Sequence, residues 1–265
     1  MTMRTTMTRA LRGLVTATAL ALFPALAFPT SAQAAGAAPA APAQSWNHAG
    51  LFGTFDRGAQ QRGFQVYKEV CASCHSLDLV AFRHLTQIGY TADQVKAIAA
   101  TYEVEDGPND EGEMFTRPGR PSDTLPAPFA NDQAARAANN GALPPDLSLM
   151  VKARPGGADY LYGLLVGYAD PPADFKLQEG MNYNTYFPGH QIAMAPPLDD
   201  EAVEYADGTK PTLARHARDV TVFLAWAAEP ELEDRKRMGI KVMLFLILLT
   251  AMLYALKRAI WRDLH

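Results

Sequence analysis

A long apolar run near the C-terminus sets the strongest limit on the fold of this chain. Residues 238–256 read MGIKVMLFLILLTAMLYAL and contain a single charge, Lys241. A helix of these 19 residues rises about 1.5 Å per residue and nearly crosses a hydrocarbon core of about 30 Å. The run is apolar on all sides, which argues against the alternative of a buried core helix with one polar face. We therefore predict one transmembrane helix, over residues 235–257, with Trp261 at the membrane interface.

The N-terminal residues have the pattern of a secretory signal peptide. Basic residues and no acidic ones come first, an apolar run from Gly13 to Phe28 follows, and the small-x-small sequence Ala32–Gln33–Ala34 ends the segment. The alternative is a first membrane anchor, but a span needs about 20 apolar residues and this run has 16, including Pro24. We expect residues 1–34 to be a signal peptide that is removed on export.

The export signal determines the expected orientation, because basic residues are similar in number on both sides of the predicted span. We predict a linker over residues 35–45, a periplasmic body over residues 46–234 and a cytoplasmic tail over residues 258–265. The protein would then lie in the bacterial inner (cytoplasmic) membrane and cross it once.

The exported body is strongly acidic, although the whole chain has a formal charge of only −4. Residues 35–234 contain 14 basic and 27 acidic residues, a net charge of −13. Nucleic acid is excluded as a partner, because binding it requires cationic contacts to phosphate. A basic protein suits this charge, and a surface kept acidic for solubility is the alternative. The acidic residues form two clusters, one of Glu103, Glu105, Asp106, Asp110, Glu111 and Glu113 and one of Asp199, Asp200, Glu201, Glu204 and Asp207.

The two cysteines of the chain lie together in the sequence CASCH, as Cys71 and Cys74 followed by His75. A disulfide and a redox-active CxxC pair are possible in an exported protein. A zinc site is disfavoured because no second cysteine pair completes the four ligands. The motif C-x-x-C-H is typical of c-type haem attachment, in which two thioethers hold the haem and the histidine is the proximal ligand. We predict one covalently bound haem c per chain.

A second axial ligand would make the haem an electron carrier, whereas an open iron would suggest a haem enzyme such as a peroxidase. Met194 lies in HQIAMAPPLDD, where Pro196 and Pro197 favour an extended, stiff segment. This pattern favours Met194, and His190 remains its rival. The complete set of candidates in the body is Met114, Met150, Met181, Met194, His48, His84, His190 and His216.

The rest of the chain is predicted to be helical with long loops. Helices are expected from Thr91 to about Val104, from Asn131 to Gly141, over residues 157–168, and from Thr212 to about Glu229. Residues 103–130 and 168–211 are rich in Pro, Gly and acid and show little regular pattern. Loops of that length are uncommon in a self-sufficient domain, and a haem would give them an apolar body to pack on.

Several stretches together resemble the cytochrome c1 family, the haem subunit of the quinol–cytochrome c oxidoreductase (complex III). They are RGFQVYKEVCASCHS, VAFRHL, DGPNDEGEMF, RPG, AARAANNGALPPDLS, GYADPP, YFPGHQIAMAPPL and WAAEPELEDRKRMG. With the anchor they cover about residues 46–258. The resemblance implies a mainly α fold: an enlarged class I cytochrome c domain with long loops and one C-terminal transmembrane helix.

The resemblance also implies roles for individual residues. Cys71 and Cys74 would carry the haem, with His75 and Met194 as the iron ligands. Arg154 would pair with a haem propionate, with Tyr160 near it, although Arg117 or Arg120 would serve that purpose as well by charge alone. The residues that would line the haem pocket are Asn139, Pro144, Pro145 and Phe187. Some bacterial members have a further disulfide near the distal ligand; this chain has no cysteines for one, so prolines and packing must stiffen the Met194 loop.

By resemblance the chain is an electron carrier and not an enzyme on its own. It would accept an electron from the Rieske iron–sulfur protein and pass it to cytochrome c, within a dimeric complex that contains cytochrome b. Docking of cytochrome c on the acidic residues is the expected interaction. The alternatives are a haem enzyme with an open iron and an anchored c-type subunit that serves another dehydrogenase or oxidase.

Overall fold

The computed structural model describes residues 39–262. The predicted signal peptide lies outside the described residues, as do the last three residues of the predicted tail. Seven α-helices are described, namely α1 (Arg57–Glu69), α2 (Ala92–Ala99), α3 (Asp132–Ala138), α4 (Met150–Ala153), α5 (Gly157–Val166), α6 (Leu213–Ala228) and α7 (Leu232–Trp261). Three short 3₁₀ segments accompany them, Cys71–Ser73, Phe82–Ile88 and Pro188–His190. The predicted mainly helical fold with long loops and a C-terminal helix is confirmed.

The predicted helix starts are confirmed by side-chain caps. Asn131 and Thr212 accept the backbone N–H groups of Ala134 and Arg215, and Thr91 with Gln94 forms a capping box. The predicted end of α2 at about Val104 is wrong, because that residue belongs to a strand. Helices α3 and α5 likewise end two or three residues before the predicted positions.

The core forms around the crossing of α1 and α6. Gly63 of α1 lies against the backbone of α6, and a Cβ atom there would come within 2.0 Å of the Asp219 carbonyl oxygen. Glycine therefore permits the close approach of the two helices. The aromatic side chains of Phe64 and Tyr67 then pack against Phe223, with ring centroids 5.6 and 5.8 Å apart. This crossing fixes the end of α1, from which the CASCH sequence continues.

Six short strands in residues 39–262 form three antiparallel pairs. The strands are β1 (Leu77–Ala81), β2 (Glu103–Asp106), β3 (Phe115–Pro118), β4 (Thr124–Leu125), β5 (Asn182–Tyr183) and β6 (Gln191–Ile192). They pair as β1 with β4, β2 with β3, and β5 with β6. The expectation of little regular structure in residues 103–130 is thus wrong for the β2–β3 hairpin. The residues between α5 and α6 are largely irregular, as expected.

Helix α7 contains 30 residues, and its most apolar window has a mean hydropathy of 2.2 with no part of it buried in the protein. It is long and apolar enough to cross a membrane, as predicted. The helix begins at Leu232, before the predicted anchor, because its first turns also contact the folded body. Glu233 accepts the Phe55 N–H at 2.9 Å, and Lys236 donates to two carbonyl groups of the N-terminal segment.

Candidate haem site

The CASCH sequence forms a tight turn directly after α1. A 3₁₀ segment covers Cys71–Ser73, and the backbone N–H groups of Cys74 and His75 both donate to the Cys71 carbonyl, at 3.1 and 2.9 Å. Both cysteines are free thiols and half-buried. Burial raises the pKa of Cys71 to about 12. The turn thus brings two free thiols and an imidazole into one short segment at the edge of the core.

The ring of His75 is oriented by a backbone carbonyl from a distant loop. Its Nδ1 lies 2.7 Å from the carbonyl oxygen of Pro145. A carbonyl only accepts, so Nδ1 carries the proton and Nε2 retains its lone pair. Burial lowers the pKa of His75, although the Pro145 carbonyl and the charge of Asp146 oppose the shift. At neutral pH the ring is therefore a neutral imidazole with one nitrogen ready to bind a metal.

Asp146, which was not among the residues predicted for the site, joins the two segments that form this contact. One carboxylate oxygen accepts from the Ser76 hydroxyl and from the Asp78 N–H, both at 2.8 Å. The other accepts the Ser148 N–H at 2.8 Å. Burial by itself would raise the pKa of Asp146, but these hydrogen bonds lower it below its usual value. The Asp-x-Ser spacing after two prolines was the available signal, since it is typical of an Asx turn.

The loop that contains Met194 is held by hydrogen bonds to its backbone. The Tyr168 hydroxyl donates to the Met194 carbonyl at 3.0 Å, and the Asn182 side-chain amide approaches the same oxygen at 3.4 Å. The β5–β6 pairing places Asn182 opposite Ile192, two residues before Met194. The stiffness expected from prolines thus has a second source, which local sequence did not reveal.

Buried Asn184 supports the same region and was also missed. Its side-chain amide donates to the Leu164 carbonyl of α5 at 2.8 Å. Its side-chain oxygen accepts the N–H groups of Tyr186 and Phe187, at 3.0 and 3.2 Å. Phe187, one of the residues predicted to line the pocket, is half-buried and positioned by this amide.

The four candidate histidines have contacts within the protein. The ring of His190 stacks on Tyr183, with centroids 5.6 Å apart and an interplanar angle of 16°, and its Nδ1 lies 3.3 Å from the Asn184 carbonyl. His216 is fully buried and lies 2.9 Å from the Tyr205 hydroxyl. His48 stacks on Phe55, and His84 accepts the Ala81 N–H. Each candidate histidine is thus positioned by contacts of its own ring, and Met194 as the partner of His75 stays a prediction.

The predicted propionate partner Arg154 is the exposed residue that ends α4. Burial raises the pKa of Tyr160, and the positive charge of Arg154 opposes the shift. Arg117 is already bound to Asp106 and Asp123. Arg117 is therefore occupied by two carboxylates of the protein, and the role of Arg154 stays a prediction.

The residues predicted for the haem site fall into two groups, one around His75 and one around Tyr160 and Tyr168. Pro145 contacts His75 directly, while Tyr160 lies near Arg154 and also near Tyr168, which bonds to Met194. Helix α4 follows the Pro144–Pro145 segment and packs against α5, which links the groups. Half-buried Asn139 ends α3 and donates to the Ala135 carbonyl at 2.7 Å. Two free thiols, a neutral imidazole, a thioether and a cation are the residue types that fit a haem c.

Comparison with known proteins agrees with this fit. The Cytochrome C1 family model matches residues 46–264. The chain is 52% identical over 236 residues to "Cytochrome c1" of Rhodospirillum rubrum, a match that covers 83% of this chain and 87% of the relative. It is 55% identical over 219 residues to "Cytochrome c1, heme protein, mitochondrial" of Schizosaccharomyces pombe, covering 83% and 71%. It is 53% identical over 224 residues to "Cytochrome b-c1 complex catalytic subunit, mitochondrial" of Candida albicans, covering 84% and 78%. The chain therefore belongs to the cytochrome c1 family.

Proposed function

We propose that this chain is the haem c electron-transfer subunit of a cytochrome b-c1 complex, and not an enzyme on its own. The observation that carries the proposal is the 2.7 Å contact between His75 Nδ1 and the Pro145 carbonyl, directly beside two free cysteines. This contact aims a neutral imidazole for axial ligation, which is how metal-binding histidines are commonly oriented. Family membership supports the same conclusion.

The proposed roles of the site residues follow from their chemistry. The thiols of Cys71 and Cys74 would each add across a vinyl group, so that a C–S bond forms and the thiol proton goes to the vinyl carbon. His75 Nε2 and the Met194 thioether would be the two iron ligands. Arg154 would pair with a propionate, with Tyr160 beside it. The pocket would be lined by Asn139, Pro144, Pro145 and Phe187.

The haem would supply a one-electron couple, and the protein residues would fix its potential and geometry. A Met/His ligand pair raises the reduction potential of a cytochrome c. The hydrogen bonds on Pro145, Asp146 and the Met194 carbonyl hold both ligand segments in place. Small structural change between the two oxidation states is what rapid electron transfer requires.

The proposed partners follow from the family and from the charge. The electron would come from the Rieske iron–sulfur protein and go to cytochrome c, in a dimeric complex with cytochrome b, a subunit that the name of the Candida relative implies. The haem domain would lie in the periplasm, anchored by α7. The net charge of −13 on residues 35–234 suits a basic acceptor.

The deciding experiment is purification of the tagged full-length chain from its own membranes. We expect cytochrome b to copurify, the preparation to reduce cytochrome c with quinol, and the haem to stay on the denatured chain with a two-thioether pyridine spectrum. Cys71→Ser and Cys74→Ser should each lose one thioether. Copurification with a different dehydrogenase or oxidase would instead identify another anchored c-type subunit, and carbon monoxide binding by the reduced wild type would support a haem enzyme.

A further inference from the structure

A loop close to the start of α7 exposes two large apolar side chains. Residues 47–54 connect the N-terminal segment to α1, and Leu51 and Phe52 occupy the tip of the loop. The side chains are 62% and 80% exposed, and Phe52 is the most exposed large hydrophobic residue in the described part of the chain. Such exposure in water is unfavourable, so this tip requires an explanation.

The loop has a defined shape. The Thr54 N–H donates to the Asn47 carbonyl at 3.1 Å, which closes the loop at its base. Gly53 lies so close to the loop backbone that a Cβ atom would come within 2.0 Å of the Ala49 carbonyl oxygen. The tip is therefore presented by a closed turn with little room to rearrange.

Two residues of α7 hold this loop against the helix. Glu233 accepts the Phe55 N–H at 2.9 Å and also binds Arg57 at 2.9 Å. Lys236 donates to the His48 carbonyl at 2.7 Å and to the Gly53 carbonyl at 2.9 Å. Both sides of the tip are thus attached to one lysine.

The order of these contacts gives the direction in which the loop runs. Phe55 is bound at Glu233, whereas Gly53 is bound at Lys236, which lies about 4.5 Å further along the helix towards its apolar run. The apolar run begins at Met238, about 3 Å beyond Lys236. The chain therefore approaches the level where α7 enters the membrane as it reaches Phe52.

We propose that Leu51 and Phe52 insert into the lipid interface beside α7 and set the height of the folded body above the membrane. Two side chains are a small surface compared with the roughly 800 Å² per partner of a standard protein interface. The charged residues around the base are paired with one another, Arg57 and Arg237 with Glu233 and Arg235 with Glu229. An apolar tip of this size suits the acyl–headgroup boundary. The proposal rests on the proposed role of α7 as a membrane-spanning helix. It does not depend on whether the chain binds haem.

The test replaces Phe52 with the photoreactive analogue p-benzoylphenylalanine in the full-length chain, expressed and irradiated in its own membranes. Mass spectrometry of the purified chain then identifies what has become attached at this position. We expect phospholipid adducts as the main product. Predominant crosslinks to another polypeptide would show a protein contact and overturn the proposal, and so would a predominance of unreacted or water-quenched probe.

Three further positions make the result interpretable. Leu248, in the middle of the apolar run and 66% exposed, should give lipid adducts if α7 spans the membrane. Phe115, a 42% exposed phenylalanine on the β2–β3 hairpin, is the matched control and should give none. The same analogue at Leu51 replaces the Phe52 variant if the latter does not accumulate. Lipid adducts at Leu248 together with none at either tip residue would contradict the proposal while leaving the membrane helix intact.

Discussion

Two neighbouring residues, Pro145 and Asp146, act on the CASCH segment through different atoms. The carbonyl of Pro145 orients the His75 ring, while the carboxylate of Asp146 holds the backbone that follows His75. In the loop that contains Met194, the Tyr168 hydroxyl donates to the Met194 carbonyl oxygen. At the residue scale, both proposed ligands are thus positioned through backbone contacts made by residues that would not themselves touch iron.

Replacing Asp146 by Asn should destabilise the protein at neutral pH by about 2 kcal/mol, because a charged acceptor of three hydrogen bonds is lost. Its pKa is lowered in the folded state, so its contribution is present above the ordinary value of about 3.9 and disappears as pH falls through the lower folded value. Denaturant unfolding of wild type and variant should therefore differ at pH 7 and converge as the pH falls below the lowered, folded-state pKa of Asp146. Asp110→Asn, at an exposed loop residue, is the control. If wild type and variant differ in unfolding free energy by the same amount at acidic pH as at pH 7, ionisation of Asp146 is not the cause.

Met194→Leu should open the iron, so that the reduced variant binds carbon monoxide and its potential falls. Tyr168→Phe should keep Met194 as a ligand but loosen it, because the hydrogen bond to the Met194 carbonyl is lost at a cost of about 1 kcal/mol. We expect slow, partial carbon monoxide binding in that variant, measured by absorbance. Tyr162→Phe, on α5 and half-buried, is the matched control and should behave as wild type. Carbon monoxide binding that is unchanged by Met194→Leu would exclude Met194 as the ligand.

The acidic clusters differ in structure at the scale of whole elements. On β2 the side chains of Glu103 and Glu105 are exposed, whereas Asp106 binds Arg117 and its pKa is lowered chiefly by that hydrogen bond. In the second cluster, Asp200 accepts the first N–H of α6 and Asp207 binds Arg62. Several acidic residues are thus structural, and the charges free for docking are fewer than the sequence implies.

Reversing Glu103 and Glu105 to lysine should slow electron transfer to a basic cytochrome c by about 3- to 10-fold at low salt, because attraction to the acceptor is reduced. The dependence on ionic strength should also flatten, since these interactions are screened over about 8 Å at physiological salt. Stopped-flow rates over a salt series measure both effects. The Glu103→Gln, Glu105→Gln pair should give an intermediate result.

Glu201 and Glu204, exposed in the second cluster, provide the comparison for this experiment. Their reversal tests whether the acceptor docks on the side of Met194, which they follow closely in sequence. Asp106 should be left as aspartate in the Glu103/Glu105 variants and in the Glu201/Glu204 variants. Its loss would leave Arg117 without one of its carboxylate partners and disturb the β2–β3 hairpin. A rate that is independent of salt with several basic cytochromes, and unaltered by either reversal, would contradict docking on acidic residues.

At the scale of the whole molecule, α7 is long and apolar enough to cross a membrane, and its first turns are part of the folded body. Leu232 belongs to the core, and Glu233 and Lys236 hold the N-terminal loop. Contacts between the body and α7 therefore extend to Lys236, beyond Asp234, where the haem domain is predicted to end. Everything that follows, from Met238 onwards, is exposed or half-buried in the described part of the helix.

A chain that ends at Arg237 should be soluble, retain its haem and unfold like the full-length body. A chain that ends at Asp234 should also retain haem but be less stable by about 1.5–3 kcal/mol, because the charged donor on two backbone carbonyls is lost. Denaturant unfolding measures this difference, and Lys236→Met in the longer fragment should reproduce it. Loss of haem from the longer fragment would show that the apolar run is required for the fold.

The sequence by itself determined the features that depend on near neighbours. The apolar run predicted α7, Thr91, Asn131 and Thr212 predicted helix starts, and CASCH predicted the thiols beside an imidazole, because each signal acts within a few residues or along one helix. The proline pattern favoured Met194 over His190, and the family resemblance strengthened that choice and added Arg154 and Tyr160. The roles of all three remain predictions.

Only the tertiary structure decided how these parts are held. The Asp146 contact with Asp78 spans 68 positions, and the Lys236 contact with His48 spans 188. The pairing of Asp106 with Arg117 likewise required the register of the β2–β3 hairpin, which the acidic composition concealed. Such contacts depend on which distant segments are brought together by the α1–α6 crossing, and a local pattern carries no information about that. The contacts between the first turns of α7 and the loop that contains Leu51 and Phe52 were not predicted for the same reason.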